Sequence, residues 1–271
     1  MINFASICPH PPIIIPEIGG SEVETVKKTI SAYLLLNTRL KEIKPDTIVV
    51  ISPHGNLFSH KMALIKVKHL EGSFEYFKCA LSLEFEGDVN AAEKINKTCK
   101  KEHMPLEVID NRDKDSDAAL DLDHGVLVPL YYLTAGLKNF KIVPIYYSYL
   151  GRESHVKFGE ILQKALHEEM KNKKVAIVAS GDLSHRLTID APGGYTPLAK
   201  RFDEQFIKYL KAGKLSKIIN MNHDVVEEAG ECGFRSSLIL FGAIKNLKFD
   251  VNVLSYEAPF GVGYLVCDFI V

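Results

Sequence analysis

Thr47-Ile48-Val49-Val50-Ile51-Ser52-Pro53-His54-Gly55 is a short, β-branched, apolar run that stops at a proline, a histidine and a glycine. Residues 47–51 read as a strand buried on both faces, the kind that lies inside an α/β sheet. In open α/β sheets the ligand crevice lies just beyond the carboxyl ends of the strands. The same grammar recurs twice. Ile7-Cys8-Pro9-His10-Pro11-Pro12 follows a strand read over Ile2–Cys8, and Ala179-Ser180-Gly181-Asp182-Leu183-Ser184-His185 follows one read over Val175–Ser180. Three histidines delivered to strand ends from distant parts of the chain point to a metal or acid–base site rather than to core packing.

Outward from these runs, strand-length apolar stretches alternate with longer amphipathic ones. Helices are expected over residues 21–43, 88–103, 126–134, 153–170, 196–211, 214–221 and 234–246, the first opened by Ser21 as N-cap with Glu24 completing a capping box. Further strands are expected over Leu106–Ile109, Lys141–Tyr146 and residues 251–256 and 263–271. Residues 62–68 and 79–85 alternate in polarity and read as an antiparallel pair with one wet face, and residues 111–123 as an acidic loop. The rhythm predicts one α/β domain over residues 1–271, with a mixed, mostly parallel central sheet and helices on both faces.

The 271 residues are 46% hydrophobic and 25% charged, which suits a globular chain with a sizeable core. Lys plus Arg number 33 against 34 Asp plus Glu, so the net charge of -1 gives no footing for a polyanion partner. The five cysteines are scattered, with no C-x-x-C pair, and read as reduced thiols of a cytoplasmic protein. Prolines 9, 11, 12 and 16 interrupt the first apolar run, which therefore does not read as a signal peptide, and no stretch approaches the roughly 20 apolar residues that span a bilayer. No G-x-S-x-G elbow, Walker A loop or G-x-G-x-x-G turn occurs.

The candidate residues follow from chemistry. Pro11 and Pro12 stiffen the turn that carries His10, and Gly55 permits close approach beside His54. His185 titrates near neutral pH and suits either a third ligand or a general acid/base, with Asp182 placed to orient an imidazole or to face a substrate. His124 sits at a helix entrance, where the helix dipole disfavours the imidazolium and leaves a neutral hydrogen-bond donor; Asp123 reads as the cap. A pair of histidines on a divalent metal usually takes a carboxylate as well. Glu231 is the natural oxygen ligand, Cys232 beside it is a softer one, and Glu257 is a further carboxylate at a strand end. Glu227 and Glu228 read as a solvated helix face, and Tyr195, after Pro192-Gly193-Gly194, as part of a loop able to cover a substrate.

Cys8-Pro9-His10-Pro11-Pro12, Ser52-Pro53-His54-Gly55, Asp123-His124-Gly125 and Ser180-Gly181-Asp182-Leu183-Ser184-His185 stand in the order and spacing of the LigB-like class III extradiol ring-cleavage dioxygenases. The chain resembles this superfamily over nearly its whole length. It looks most like the LigB-like domain of AmmeMemoRadiSam system proteins, where Tyr256-Glu257-Ala258-Pro259-Phe260-Gly261-Val262-Gly263-Tyr264 also fits. The resemblance implies that His10 and His54 hold ferrous iron, that His185 is the acid/base and that His124 faces substrate or oxygen. It places a glutamate as third ligand in the stretch matching residues 230–235. Glu231 and Cys232 both stand there, and Memo-type relatives resemble the region with a cysteine, so both remain candidates.

The implied activity is iron(II)-dependent cleavage of a small aromatic diol by dioxygen. The alternative is a metal-binding or redox partner protein holding Zn2+ or Cu+ without ring cleavage; a metal-dependent hydrolase is a third option. A homodimer and partner proteins of the AmmeMemoRadiSam system are the expected associations, with no nucleic acid and no membrane.

Overall fold

Every residue of Thr47–Ser52 is buried, as a strand between two layers requires. The structure, a computed structural model, describes residues 1–110 and 120–271. Its strands are β1 (Ile2–Cys8), β2 (Thr47–Ser52), β3 (Met62–Ile65), β4 (His69–Ser73), β5 (Ser82–Glu86), β6 (Leu106–Ile109), β7 (Leu120–Asp121), β8 (Lys141–Tyr146), β9 (Val175–Ser180), β10 (Asp250–Glu257) and β11 (Tyr264–Ile270). Eight form one sheet in the order β10-β11-β1-β9-β2-β8-β3-β6. The central run β1-β9-β2-β8 is parallel throughout, and β11 and β3 join it antiparallel on either side. The expected mixed, mostly parallel sheet is thus present.

Side chains alternate between two cores. Ala5, Ile7, Val49, Ile51, Ile177 and Ala179 face one layer, which includes the helices Val89–Lys101, Arg152–Glu169, Pro197–Lys211 and Phe234–Ile244. Phe4, Cys8, Ile48, Val50, Ala176 and Val178 face the other, which includes Lys27–Ile43 and His124–Leu133. Helices therefore cover both faces within a single domain. The β1, β9 and β2 carboxyl ends lie side by side, Cys8 opposite Ser180 and Ile51 opposite Ala179, so the segments that follow leave from one rim.

Two local expectations are corrected. Residues 20–26 form a 3-10 turn, and the helix itself begins at Lys27 with no side-chain cap, so the Ser21 capping box does not form. β3 does not pair with β5; it lies in the main sheet between β8 and β6. The antiparallel partner of β5 is β4, and with β7 they make a separate three-stranded sheet. Alternation alone cannot name a strand's partner. His223–Ala229 is a short helix of its own, and Glu227 and Glu228 lie on it. Most of the expected acidic loop falls at residues 111–119, outside the described residues.

Candidate metal centre

The turn after β1 carries His10, and the turn after β2 carries His54. Their Nε2 atoms lie 3.0 Å apart. Cys232 Sγ, from the turn before the helix Phe234–Ile244, is 3.6 Å from His10 Nε2. These three ligand atoms lie within 4.8 Å of one another. A second such group is Asp182, His185 and Cys232, so Cys232 joins the loop after β9 to the two histidines. His124 completes the cluster: its ring stacks on His54 at 4.3 Å and sits edge-on to His10 at 5.4 Å.

Each side chain is held by its neighbours. His10 donates its backbone N–H to Asp182 Oδ1 at 2.9 Å, and its Nδ1 lies 2.8 Å from Ser180 Oγ. Ser52 Oγ accepts the His54 N–H at 3.2 Å and donates to Asp123 Oδ1 at 2.6 Å. Asp123 in turn caps the His124 helix by accepting the Gly125 N–H at 2.8 Å. The Asp182 N–H donates to Cys232 Sγ at 3.2 Å, and its carbonyl accepts the Gly233 N–H at 2.9 Å. Phe77, from the turn between β4 and β5, packs edge-on against His124 at 5.4 Å.

Electrostatics keep these rings neutral. Burial, and then His54, His124 and His185, hold His10 well below the usual imidazole range. Burial also lowers His54 against the pull of Asp123. Burial and then His54 bring His124 down to about 4. His185 is lowered by burial, against the raising effect of the Leu183 carbonyl. Burial and then Asp182 push the Cys232 thiol well up, and burial lifts the Asp182 carboxyl to about 7. A neutral imidazole offers a lone pair, and a cation takes a thiol as thiolate.

These donors fit a metal. Two imidazole nitrogens bonded at about 2.1 Å to one ion at a right angle lie about 3.0 Å apart, the spacing of the His10 and His54 Nε2 atoms. Glu231 is absent from both ligand groups. Its carboxylate instead accepts the Phe234 N–H, and burial lifts that carboxyl to about 7. Glu257 accepts the Thr29 N–H and hydroxyl at 2.8 and 2.7 Å, fixing the start of the Lys27–Ile43 helix. Tyr195 is 56% exposed and pairs across its own loop with Leu187, and the Gly193 N–H of that loop donates to the His185 carbonyl at 3.0 Å. Sequence reasoning misses Ser52 and Ser180, whose signal is a lone hydroxyl at the last position of an apolar strand.

An open α/β sheet thus carries a cluster of neutral histidines and a thiol, able to ligate a cation, beyond its central strands. The model of the catalytic LigB subunit of aromatic ring-opening dioxygenases matches residues 4–267, and the chain belongs to this LigB family. It is similar to Protein CA_C1420 of Clostridium acetobutylicum, with 36% identity over 97% of this chain and 56% of that protein. The chain thus spans little more than half of that relative's length. It is 25% identical to an Escherichia coli 3,4-dihydroxyphenylacetate 2,3-dioxygenase, over 94% of each chain. It is 22% identical to the 2-aminophenol 1,6-dioxygenase beta subunit of a Pseudomonas species, over 82% of this chain and 78% of that one. Uncharacterized protein JW3007 from Escherichia coli K12 shares the fold, with a TM-score of 0.66 at 16% identity and 98% coverage of both chains. No helix among the described residues is long and apolar enough to cross a membrane.

Proposed function

We propose that this chain is a metal-dependent extradiol dioxygenase that opens a catechol-type ring with dioxygen. The observation that carries the reading is the 3.0 Å approach of the His10 and His54 Nε2 atoms beside Cys232 Sγ, with His124 and His185 flanking them. The family match and the dioxygenase relatives support it. His10, His54 and Cys232 would hold ferrous iron, which when bound supplies an electron path between the diol and dioxygen. His185, kept neutral by burial, accepts a proton from a diol hydroxyl; Asp182 Oδ2, 4.0 Å from its Nε2, steadies the charged ring. His124 stays neutral and donates an N–H toward the reacting oxygen, its ring fixed between His54 and Phe77.

Anaerobic reconstitution with ferrous iron, followed by oxygen uptake on a panel of catechols, tests this. One dioxygen consumed per diol is the expected result.

Cys232 favours a second reading. A thiol where a carboxylate usually completes the triad suits Zn2+ or Cu+, and the protein is then a metal-binding or redox partner of the Memo and AmmeMemoRadiSam kind. Zinc or copper retained after anaerobic purification, with silence across the catechol panel, selects that reading.

A further inference from the structure

Pro129 lies inside the helix His124–Leu133. In an α-helix the N–H of residue 129 would bond the carbonyl of residue 125. Proline has no N–H, and its ring also crowds that carbonyl. The Gly125 carbonyl therefore lacks its helical donor, and it is the Ser180 hydroxyl that donates to it. Ser180 is fully buried at the end of β9 and has one proton to give. With that proton committed, its Oγ meets His10 Nδ1 at 2.8 Å as an acceptor. His10 must then carry its proton on Nδ1. Its Nε2 lone pair is turned toward His54 Nε2 and Cys232 Sγ.

We propose that Ser180 is a positioning residue that selects the donor nitrogen of His10, and that Pro129 makes the selection one-way by leaving the Gly125 carbonyl free to hold the Ser180 proton. The direction is imposed by valence: a carbonyl can only accept, so the chain from His10 through Ser180 to Gly125 has a single polarity. The same chain ties His10 to the helix that begins with His124, so two imidazoles from different segments share one support. Buried partners of this kind fix a ligand's tautomer and its basicity. The proposal rests on the reading of His10 as a ligand, but the tautomer itself is a property of the metal-free protein and is independent of any turnover.

Imidazole 15N NMR of the metal-free full chain reads the tautomer directly, and His10→Gln identifies the signal. The wild-type protein should show His10 protonated at Nδ1. Ser180→Ala should move the population toward Nε2–H and weaken Zn2+ binding, measured by chelator competition, about ten- to a hundred-fold. Ser180→Thr, which restores the hydroxyl, should recover both. Pro129→Ala returns a competing N–H and should shift the His10 signal the same way by less. A wild-type His10 protonated at Nε2 would overturn the proposal even if no variant folded. Unchanged Zn2+ affinity in a folded Ser180→Ala protein would also overturn it, and an unmoved tautomer in Pro129→Ala would remove Pro129 from it. A protein silent toward every catechol, with these shifts intact, would refute the dioxygenase reading and leave this one standing.

Discussion

Gly181 and Gly233 approach so closely that a methyl group on Gly181 would lie 2.1 Å from the Gly233 Cα. The contact locks the turn carrying Asp182 and His185 against the turn carrying Cys232, and the Cys232 and Gly233 N–H groups both donate to the Asp182 carbonyl. Backbone cannot yield as a flexible side-chain end does, so Gly181→Ala must part the two turns. The expected cost is about 1–3 kcal/mol of stability or more, with weaker metal binding because Cys232 moves away from His10. Denaturant unfolding and Zn2+ competition measure the two effects; a variant as stable as the wild type would show the contact to be slack.

His185→Ala separates ligation from proton transfer. Its ring belongs with Asp182 and Cys232, not with the His10–His54 pair. Under the proposed dioxygenase reading, the variant should still bind ferrous iron and lose about 10²–10⁴-fold in kcat on any catechol that the wild-type protein turns over. Iron content and oxygen uptake on one preparation decide this, and full turnover would strip His185 of the proton-accepting role.

Cys232 and Glu231 are adjacent in sequence but have different duties. On the proposed reading Cys232→Ala removes a candidate ligand atom and should lower metal affinity by at least about ten-fold, without a large loss of stability. Glu231→Gln should leave metal content intact. It weakens the bond to the Phe234 N–H and should cost about 1–2 kcal/mol in unfolding. Metal analysis beside a thermal melt distinguishes the pair, and the reverse pattern would make Glu231 the ligand.

How much of this was legible is best judged at that pair. Strand ends at Cys8, Ser52 and Ser180 follow from apolar runs stopped by proline or glycine, and they placed His10, His54 and His185 on one rim. The choice between Glu231 and Cys232 was not legible. Both residues are partly buried, but Cys232 Sγ lies 3.6 Å from His10 Nε2 while the Glu231 carboxylate accepts the Phe234 N–H, in a turn packed by the Gly181–Gly233 contact between residues 52 positions apart. The Ser21 cap failed for a related reason. The local pattern favours it, but Glu257 from β10 serves the Thr29 N–H and hydroxyl at the helix start instead. Tertiary partners decided each case where local chemistry offered two answers.

Asp203 gives the pH dependence a sign. Burial lifts its carboxyl from 3.8 to about 7, although it accepts hydrogen bonds from Tyr256 Oη at 2.6 Å and the Ser184 N–H at 3.0 Å. Between those pH values the folded chain holds a proton that the unfolded chain has lost. Stability from this group is therefore full below about pH 4 and is lost as pH rises through about 7. The buried histidines act oppositely, since their lowered values cost stability as pH falls below 6.5. A single melting curve mixes the two, and the informative quantity is a difference. Relative to Asp203→Asn, the wild-type protein should lose stability between about pH 4 and pH 7 and level off above that range, as tested by thermal melts. A constant difference across that range would place the Asp203 proton elsewhere.

Asp123 joins helix stability to the metal centre. Its Oδ1 accepts both the Gly125 N–H and the Ser52 hydroxyl, and Ser52 Oγ accepts the His54 N–H. One carboxylate oxygen thus starts the His124 helix and fixes the turn of His54. Gly125 leaves room for this, because a methyl group there would lie 2.4 Å from Ser52 Oγ and 3.3 Å from His54 Cδ2. Asp123→Ala should cost about 1–2 kcal/mol from the lost cap and should also weaken metal binding, since Ser52 then has no fixed proton acceptor. Asp123→Asn keeps a carbonyl oxygen for both donors and should recover most of each loss. The two readouts must move together across the variants. Stability lost with metal affinity unchanged would mean that the His54 turn stands without the helix cap.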